Sequence, residues 1–339
     1  MSRRVQFDQY GPADVLRVAD VPRPSAGDGQ VLVQVLAAGI NPGEIAIRTG
    51  AMEQMFPATF PSGQGSDFAG RVVEVGPGVT GFAPGDEVMG WSDRRSAQAD
   101  HVVSDRQHLI AKPRALDWIR AGALWAIGVT SFSAVRAVAV QPGEVVAVSA
   151  AAGGVGGLAA QLARRAGARV LGIASAASAG RLRAIGVEPV AYGDGLAERL
   201  RSLAPGGIDA FIDTHGDGYV DLAVALGVSP DRIDTVIDFA AAQRHGAKAD
   251  ASPQASTPDV LATMAEHVAW GRLTVHIAAI YPLDQVRDAY TELASGHVYG
   301  KIVLSTEMAA DDPPCAADEP VHRPAPPGKR PGKDRPCPG

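Results

Sequence analysis

The chain reads as an α/β protein in two parts, a compact barrel-like domain of short strands and a doubly wound parallel sheet. Three observations predict this. Residues 1 to about 118 carry short β-branched runs punctuated by Gly and Pro. Residues from about 119 to 262 alternate strand-like with helix-like segments. Within the second part, residues 144–167 join a strand, a glycine turn and a helix in immediate succession.

Taken in order, the first part offers Val31-Leu-Val-Gln-Val-Leu36, Gly70-Arg-Val-Val-Glu-Val-Gly76 and His101-Val-Val103 as strands. Gly76-Pro-Gly78 and Ala83-Pro-Gly-Asp86 punctuate them, a spacing that suits a barrel. In the second part, Val145, Val146 and Val148 form a buried strand. Gly153, Gly154, Gly156 and Gly157 form the turn, and Leu158, Leu162 and Ala166 lie on one face of a helix that stops at Gly167. A second strand over 169–174 completes a βαβ unit. Strands over 189–192, 208–213 and 233–237 then alternate with helices near 196–203 and 219–226. Residues from about 263 to 305 return to the first domain, with a helix over 260–270, a strand over 273–277, a helix over 283–294 and a closing strand over 301–304. Residues 306–339 crowd nine prolines among charges of both signs and read as a disordered tail.

The βαβ unit is a way to hold a dinucleotide. Glycines let the backbone approach a pyrophosphate, and the helix N-terminus offers free N–H groups and positive dipole. Ala151 stands where the first glycine of the fingerprint falls, with Gly153 and Gly156 keeping the other two. NAD-binding units place Asp or Glu at the end of the second strand to bond the ribose 2′-hydroxyl. Here residues 172–181 hold no carboxylate; Ser175 and Ser178 can donate to a 2′-phosphate and Arg181 can pair with it. That favours NADPH over NADH. The plainer reading of Arg181 is an exposed helix charge.

Composition bounds the function. A 46% hydrophobic share supports a sizeable core, and a net charge of −6 argues against a nucleic-acid partner and a basic membrane face. The start has no apolar leader and no run of about 18 apolar residues occurs, so a soluble, cytoplasmic protein is expected. Cys315 and Cys337, both in the tail, give the core neither a metal cluster nor a disulfide framework. Tyr-x-x-x-Lys, Gly-x-Ser-x-Gly and Gly-Lys-[Ser/Thr] are all absent, which discounts a short-chain dehydrogenase, a serine hydrolase and a P-loop NTPase.

Five stretches resemble the medium-chain dehydrogenase/reductase superfamily, and within it the zinc-independent quinone-oxidoreductase branch. They are Ala37-Ala-Gly-Ile-Asn-Pro-Gly-Glu-Ile-Ala-Ile-Arg-Thr-Gly50, Pro61-Ser-Gly-Gln-Gly-Ser-Asp-Phe-Ala-Gly-Arg-Val-Val-Glu-Val-Gly76, Val79-Thr-Gly-Phe-Ala-Pro-Gly-Asp-Glu-Val88, Ala150-Ala-Ala-Gly-Gly-Val-Gly156 and Gly300-Lys-Ile-Val-Leu304. The resemblance implies a GroES-like β-barrel catalytic domain (1–118, completed by 263–305), a Rossmann NADPH-binding domain (119–262) with the active site in the cleft, and a homodimer. Zinc members carry Cys at the position of Asn41, His at Ser66 and a further ligand near Ile127. None of the three is a zinc ligand here.

Without a Lewis acid, the implied chemistry is hydride transfer from NADPH to an acceptor that is already electrophilic, a quinone or a conjugated enone or enal. The resemblance implies Asn41, Arg48 and Thr130 as catalytic residues. It implies Ala151, Gly153, Gly154, Val155, Gly156, Ser175, Arg181, Tyr192, Phe239 and Lys301 as the cofactor-binding set, with residues 236–240 as a loop above the nicotinamide. Plainer readings stand beside these: Asn41 as a turn residue before Pro42, Arg48 in a surface salt bridge, Thr130 bonding its own helix, Tyr192 as a strand-end aromatic. Asp67 reads as structural, and His215 is a proton donor only if it faces the substrate. The competing hypothesis is a non-catalytic NADPH-binding sensor or partner-binding module, marked by bound cofactor without turnover.

Overall fold

The computed structural model describes residues 1–250, 257–296 and 298–315. The chain divides into two compact units, one from Met1–Ala123 plus the residues from His276 onward, the other Leu124–Val275. In chain order, the first unit begins with β1 (Ser2–Phe7), β2 (Arg17–Val21), β3 (Gln30–Gly39), α1 (Pro42–Arg48), β4 (Ser62–Gly63), β5 (Asp67–Val75), β6 (Glu87–Trp91), β7 (His101–Asp105), β8 (Leu109–Ala111) and α2 (Trp118–Gly122). The second unit holds α3 (Leu124–Ala137), β9 (Val145–Val148), α4 (Gly154–Arg165), β10 (Arg169–Ala174), α5 (Ala179–Ala184), β11 (Glu188–Ala191), α6 (Leu196–Leu203), β12 (Ala210–Asp213), α7 (Tyr219–Ala225), β13 (Ile233–Thr235), α8 (Phe239–His245) and α9 (Pro258–Ala269). The chain then returns to the first unit as β14 (Ile277–Pro282), α10 (Val286–Ala294) and β15 (Lys301–Ser305).

In the first unit β3 is the spine. It pairs antiparallel with β5, β7 and β15, within a sheet ordered β14-β15-β3-β5-β6-β8. The alternation of Val31, Val33 and Val35 buries one face against Phe68, Val72, Val88 and Val102. A Cβ at Gly70 would fall 1.9 Å from the Gln34 carbonyl oxygen, so the β3–β5 approach requires glycine there. A small second sheet, β2-β1-β4, and the returning α10 share another core around Phe7, Ile40, Tyr290 and Leu304.

The second unit is a five-stranded, wholly parallel sheet ordered β11-β10-β9-β12-β13. β-Branched runs of four to six residues, Val145–Val148 and Arg169–Ala174 among them, lie buried between helices. The helix expected over 196–203 is present with those bounds.

Several expectations are corrected. The unit boundaries lie at 123/124 and 275/276, not near 118 and 262. α2 stays with the first unit because a Cβ at its Gly122 would meet the Ala37 carbonyl at 2.5 Å. α9 stays with the second, its Met264 side chain lying against Gly128 of α3. The strand expected over 273–277 is β14, four residues further on. The Thr274 N–H donates to Gln161 Oε1 and the Thr274 carbonyl accepts from Gln161 Nε2 (2.8 and 3.0 Å), so this segment satisfies its backbone on a side chain rather than in a ladder. The loop expected over 236–240 is partly helix: the Asp238 side chain caps α8 by accepting from the Ala241 N–H. The first ten residues of the expected disordered tail are held in place. Thr306 donates its hydroxyl to the Val35 carbonyl, Met308 is buried, and Cys315 pairs with Ile280 at the edge of β14. Residues 316–339 of that tail lie outside the described residues.

Candidate functional site

In the second unit the strand order reverses between β9 and β12, so their carboxyl ends splay to opposite sides. The expected glycine turn sits there, built differently from the expectation. Gly154, Gly156 and Gly157 already belong to the first turn of α4, and the bend itself falls on Ala150, at φ 43°. A left-handed alanine costs about 1 kcal/mol, a strain set in the chain where the β9 strand ends. Ala151 is buried and donates its N–H to the Ile173 carbonyl of β10. Gly153 is the N-cap of α4 and no side chain caps it, which leaves the helix's first N–H groups open. A Cβ at Gly156 would lie 2.3 Å from the Ala150 carbonyl oxygen and 2.8 Å from Thr214 Oγ1.

One buried carboxylate fastens the edge together. Asp213 is fully buried at the end of β12. It accepts from Ser149 Oγ (2.7 Å), Thr235 Oγ1 (2.8 Å) and the N–H groups of His215 and Gly216 (both 3.0 Å). Ser149 Oγ in turn accepts from the Thr214 N–H. Three strand ends are thus locked in one arrangement. Ser131 of α3 adds a brace, donating to the carbonyls of Ile127 and Val155 (2.5 and 2.8 Å). Sequence reading missed Ser131 and Ser149; neither lies in a motif, and their partners are 24 and 64 residues away.

Ser175, Arg181 and Tyr192 gather on the β10–β11 side, whereas Phe239 lies beyond β13 at the other edge of the sheet. The Tyr192 N–H donates to the Ala174 carbonyl, which sets Tyr192 beside Ser175. Ser175 and Ser178 share a hydroxyl–hydroxyl bond of 3.0 Å, and Arg181 follows, half-buried, on α5. The Tyr192 side chain is 51% exposed. Beneath it Arg199, another residue the sequence did not flag, donates to the carbonyls of Ala191, Tyr192, Gly193 and Asp194 and shapes that loop. Val155 and Thr130 are half-buried, on α4 and α3. Phe239 opens α8 and is exposed. His215 is exposed, its ring edge-on to Tyr219 at 5.6 Å. Burial first, and then the Asp213 charge, push the Tyr219 hydroxyl above its ordinary range.

In the first unit Asn41 N-caps α1 with a capping box from Glu44. Glu44 is buried and accepts from the Asn41 N–H (2.9 Å), Asn41 Nδ2 (3.3 Å), the Ser66 N–H (3.1 Å), the Tyr290 hydroxyl (2.5 Å) and Gln98 Nε2 (3.4 Å). Lys301 donates its ammonium to the Ile40 carbonyl (2.6 Å) and Asn41 Oδ1 (2.5 Å). Asn41 is therefore held from both ends of its amide. Burial lowers the Lys301 ammonium, against the pull of Asp67, 3.9 Å away, and Glu44. Burial likewise drives the Tyr290 hydroxyl well above its ordinary range.

Two candidates are corrected here. Arg48 lines no opening: it is 2% exposed, its guanidinium lies 4.7 Å over the Tyr290 ring, and its Nε donates to the Gly11 carbonyl. It sits one turn after Glu44 on α1, so the spacing that buries Glu44 buries Arg48 too. Lys301 joins Asn41 rather than the glycine turn, because β15 pairs with β3 and sets Lys301 next to Ile40. The residues at the zinc-ligand positions do not fit that ion. Asn41 is engaged by Lys301 and Glu44, Ser66 brings only a hydroxyl, and Ile127 is a buried aliphatic.

The profile of the alcohol dehydrogenase GroES-like domain matches residues 27–175, and that of the zinc-binding dehydrogenases matches residues 185–304. The quinone oxidoreductase of Pseudomonas aeruginosa is 30% identical over 329 residues, covering 90% of this chain and 99% of that protein. The chain belongs to the medium-chain dehydrogenase/reductase family, in its quinone oxidoreductase-like branch. The rat quinone oxidoreductase is 33% identical over 231 residues, 67% of this chain. The chain spans 66% of that enzyme's length and 5% of a Mycobacterium tuberculosis mycoketide-CoA synthase. Among solved structures, the quinone oxidoreductase of Coxiella burnetii superposes with a TM-score of 0.80 at 29% identity, over 90% of this chain and 99% of its own. The medium-chain fold accounts for the parallel sheet, its switch point at β9/β12 and the split first unit. Among the described residues no helix is long and apolar enough to cross a membrane.

Proposed function

We propose that this medium-chain reductase uses NADPH to deliver a hydride to a quinone or a conjugated enone or enal, without zinc. The observation that carries the reading is the uncapped α4 N-terminus behind a glycine-tight turn, at a switch point locked by Asp213. A pyrophosphate fits a cradle of that kind, since free N–H groups and helix dipole both favour it. Bound NADPH supplies the hydride. The chain's own part is to fix geometry: Gly153, Gly154, Val155 and Gly156 receive the pyrophosphate, and Ser175, Arg181 and Tyr192 receive the 2′-phosphate. Asn41, oriented by Lys301 and Glu44, offers its remaining amide hydrogen to the acceptor's oxygen. The absence of any carboxylate side chain from 174–181 supports NADPH over NADH.

Single-turnover oxidation of NADPH, and separately of NADH, by a simple benzoquinone on a metal-assayed sample tests the reading. Fast oxidation of NADPH by zinc-free protein is the expected result. Tight NADPH binding with no turnover against quinones, enones or enals would instead identify a sensor module. Arg181→Ala and Tyr192→Ala are each expected to weaken NADPH roughly ten- to hundred-fold while leaving NADH nearly unchanged; equal loss for both cofactors refutes the 2′-phosphate assignment. Gly156→Ala is expected to abolish tight NADPH binding, because its Cβ forces the Ala150 carbonyl and the turn apart. A titration in which that variant binds like the wild type removes the cradle from the mechanism.

A further inference from the structure

The first unit carries a polar cavity, of about 790 Å³, with no part in the site above. Strand alternation builds it. Ser2, Arg4 and Gln6 share one face of β1; Ser2 and Arg4 line the cavity and Gln6 anchors Arg4, accepting from its Nη2 at 2.8 Å. The pairing of β1 with β4 adds Ser62, β7 adds His101, and the loop after β6 adds Arg94 and Arg95. Arg4, Arg94, Arg95 and His101 line this space, and no Asp or Glu does. The nearby Asp100 is turned away to Arg3, in bonds of 2.8 and 2.9 Å.

The cations are held in place. Arg95 stands in the left-handed region at φ 51°, and its guanidinium donates to the carbonyls of Phe56 and Pro57. His101 Nδ1 meets Ser2 Oγ at 3.2 Å. Burial, and then the positive charge of Arg23, push the His101 imidazole below its ordinary range, against the pull of Asp100. Most tellingly, Arg4 Nε is buried and has no hydrogen-bond partner. A buried guanidinium donor left unpaired costs free energy, so Arg4 stands incompletely satisfied in this fold.

We propose that this cavity is a binding site for a phosphate-bearing small molecule. Guanidinium forks match phosphate oxygens two at a time, hydroxyls such as those of Ser2 and Ser62 complete such shells, and the volume is that of a small-molecule site. The overall charge of −6 conceals this local excess of cations.

Calorimetric titration of the full chain with sodium pyrophosphate, against sodium chloride at matched ionic strength, tests the proposal. Saturable binding is expected in the wild type. Arg4→Gln is expected to weaken it roughly ten- to hundred-fold, and Arg4→Lys, which keeps the charge but loses the fork, by less. Arg94→Gln, at an exposed position that spares the fold, is expected to weaken it several-fold and decides the matter if the Arg4 variants do not fold. Binding is expected to persist in Gly156→Ala, whose glycine turn in the other unit no longer accepts the ion. Pyrophosphate that binds no better than chloride overturns the proposal. So does affinity that survives Arg4→Gln or Arg94→Gln in folded protein, or that is lost with Gly156→Ala instead, which places the ion at the glycine turn of α4.

Discussion

Glu44→Ala is expected to destabilise the first unit by about 3–5 kcal/mol. Glu44 accepts from five donors drawn from α1, the segment before β5, α10 and the strand-like approach to β7. Removing it strands the Asn41 and Ser66 N–H groups and the Tyr290 hydroxyl in a buried setting. It also takes a favourable charge from the buried Arg48 and Lys301, leaving Asp67, 3.9 Å away, for Lys301. Glu44→Gln keeps the shape but turns an N–H₂ group toward donors, so it is expected to fall between. Denaturant midpoints of the three proteins check this. A midpoint for Glu44→Ala within error of the wild type would show that the network is incidental. Because the same carboxylate holds Asn41, the hydride-transfer rate of folded Glu44→Gln is expected to drop further than its NADPH affinity.

Asp234→Asn is expected to have the opposite sign, raising stability at neutral and alkaline pH. Asp234 is fully buried on β13; its Oδ1 accepts from the Asp250 N–H at 2.8 Å and its Oδ2 has no partner. Burial pushes this carboxyl up to about 7, against the hydrogen bond from the Asp250 N–H and the charge of Lys248, with smaller upward pushes from the charges of Asp250 and Asp213. A folded-state value above the unfolded one means that the native protein holds a proton which the unfolded chain releases. Stability from this group is complete below the ordinary carboxylate value of 3.8, declines as pH rises, and is lost once pH passes about 7. The full swing is on the order of 2–4 kcal/mol. The asparagine does not titrate, so its advantage over the wild type is expected to grow between about pH 4 and pH 7 and then level off. Parallel melting curves for both proteins across that range, showing a constant difference, would dismiss the titration.

How far the sequence could be read follows from the range of each interaction. The βαβ unit was legible because strand, glycines and helix lie within two dozen neighbouring residues, and α6 was legible from its own periodicity. Arg48 was misread because the resemblance of residues 37–50 implied a catalytic role, whereas the facing Tyr290 decides that it is buried. The strand before α10 was displaced by four residues because Leu273, Val275 and Ile277 alternate whether or not a partner strand is present. Gln161, more than a hundred residues earlier, captures Thr274 instead.

By itself, then, the sequence determined the fold class, the place of the glycine turn and the family, since each rests on local patterns of apolar residues and glycines. Only the tertiary structure decided that Glu44 and Lys301 grip Asn41, that Asp213 locks three strand ends, and that Arg4, Arg94, Arg95 and His101 share a cavity. Those groupings join residues up to 260 positions apart. Nothing in a side chain's own neighbourhood records the charge or hydrogen-bond partner that folding will bring to it across such a distance.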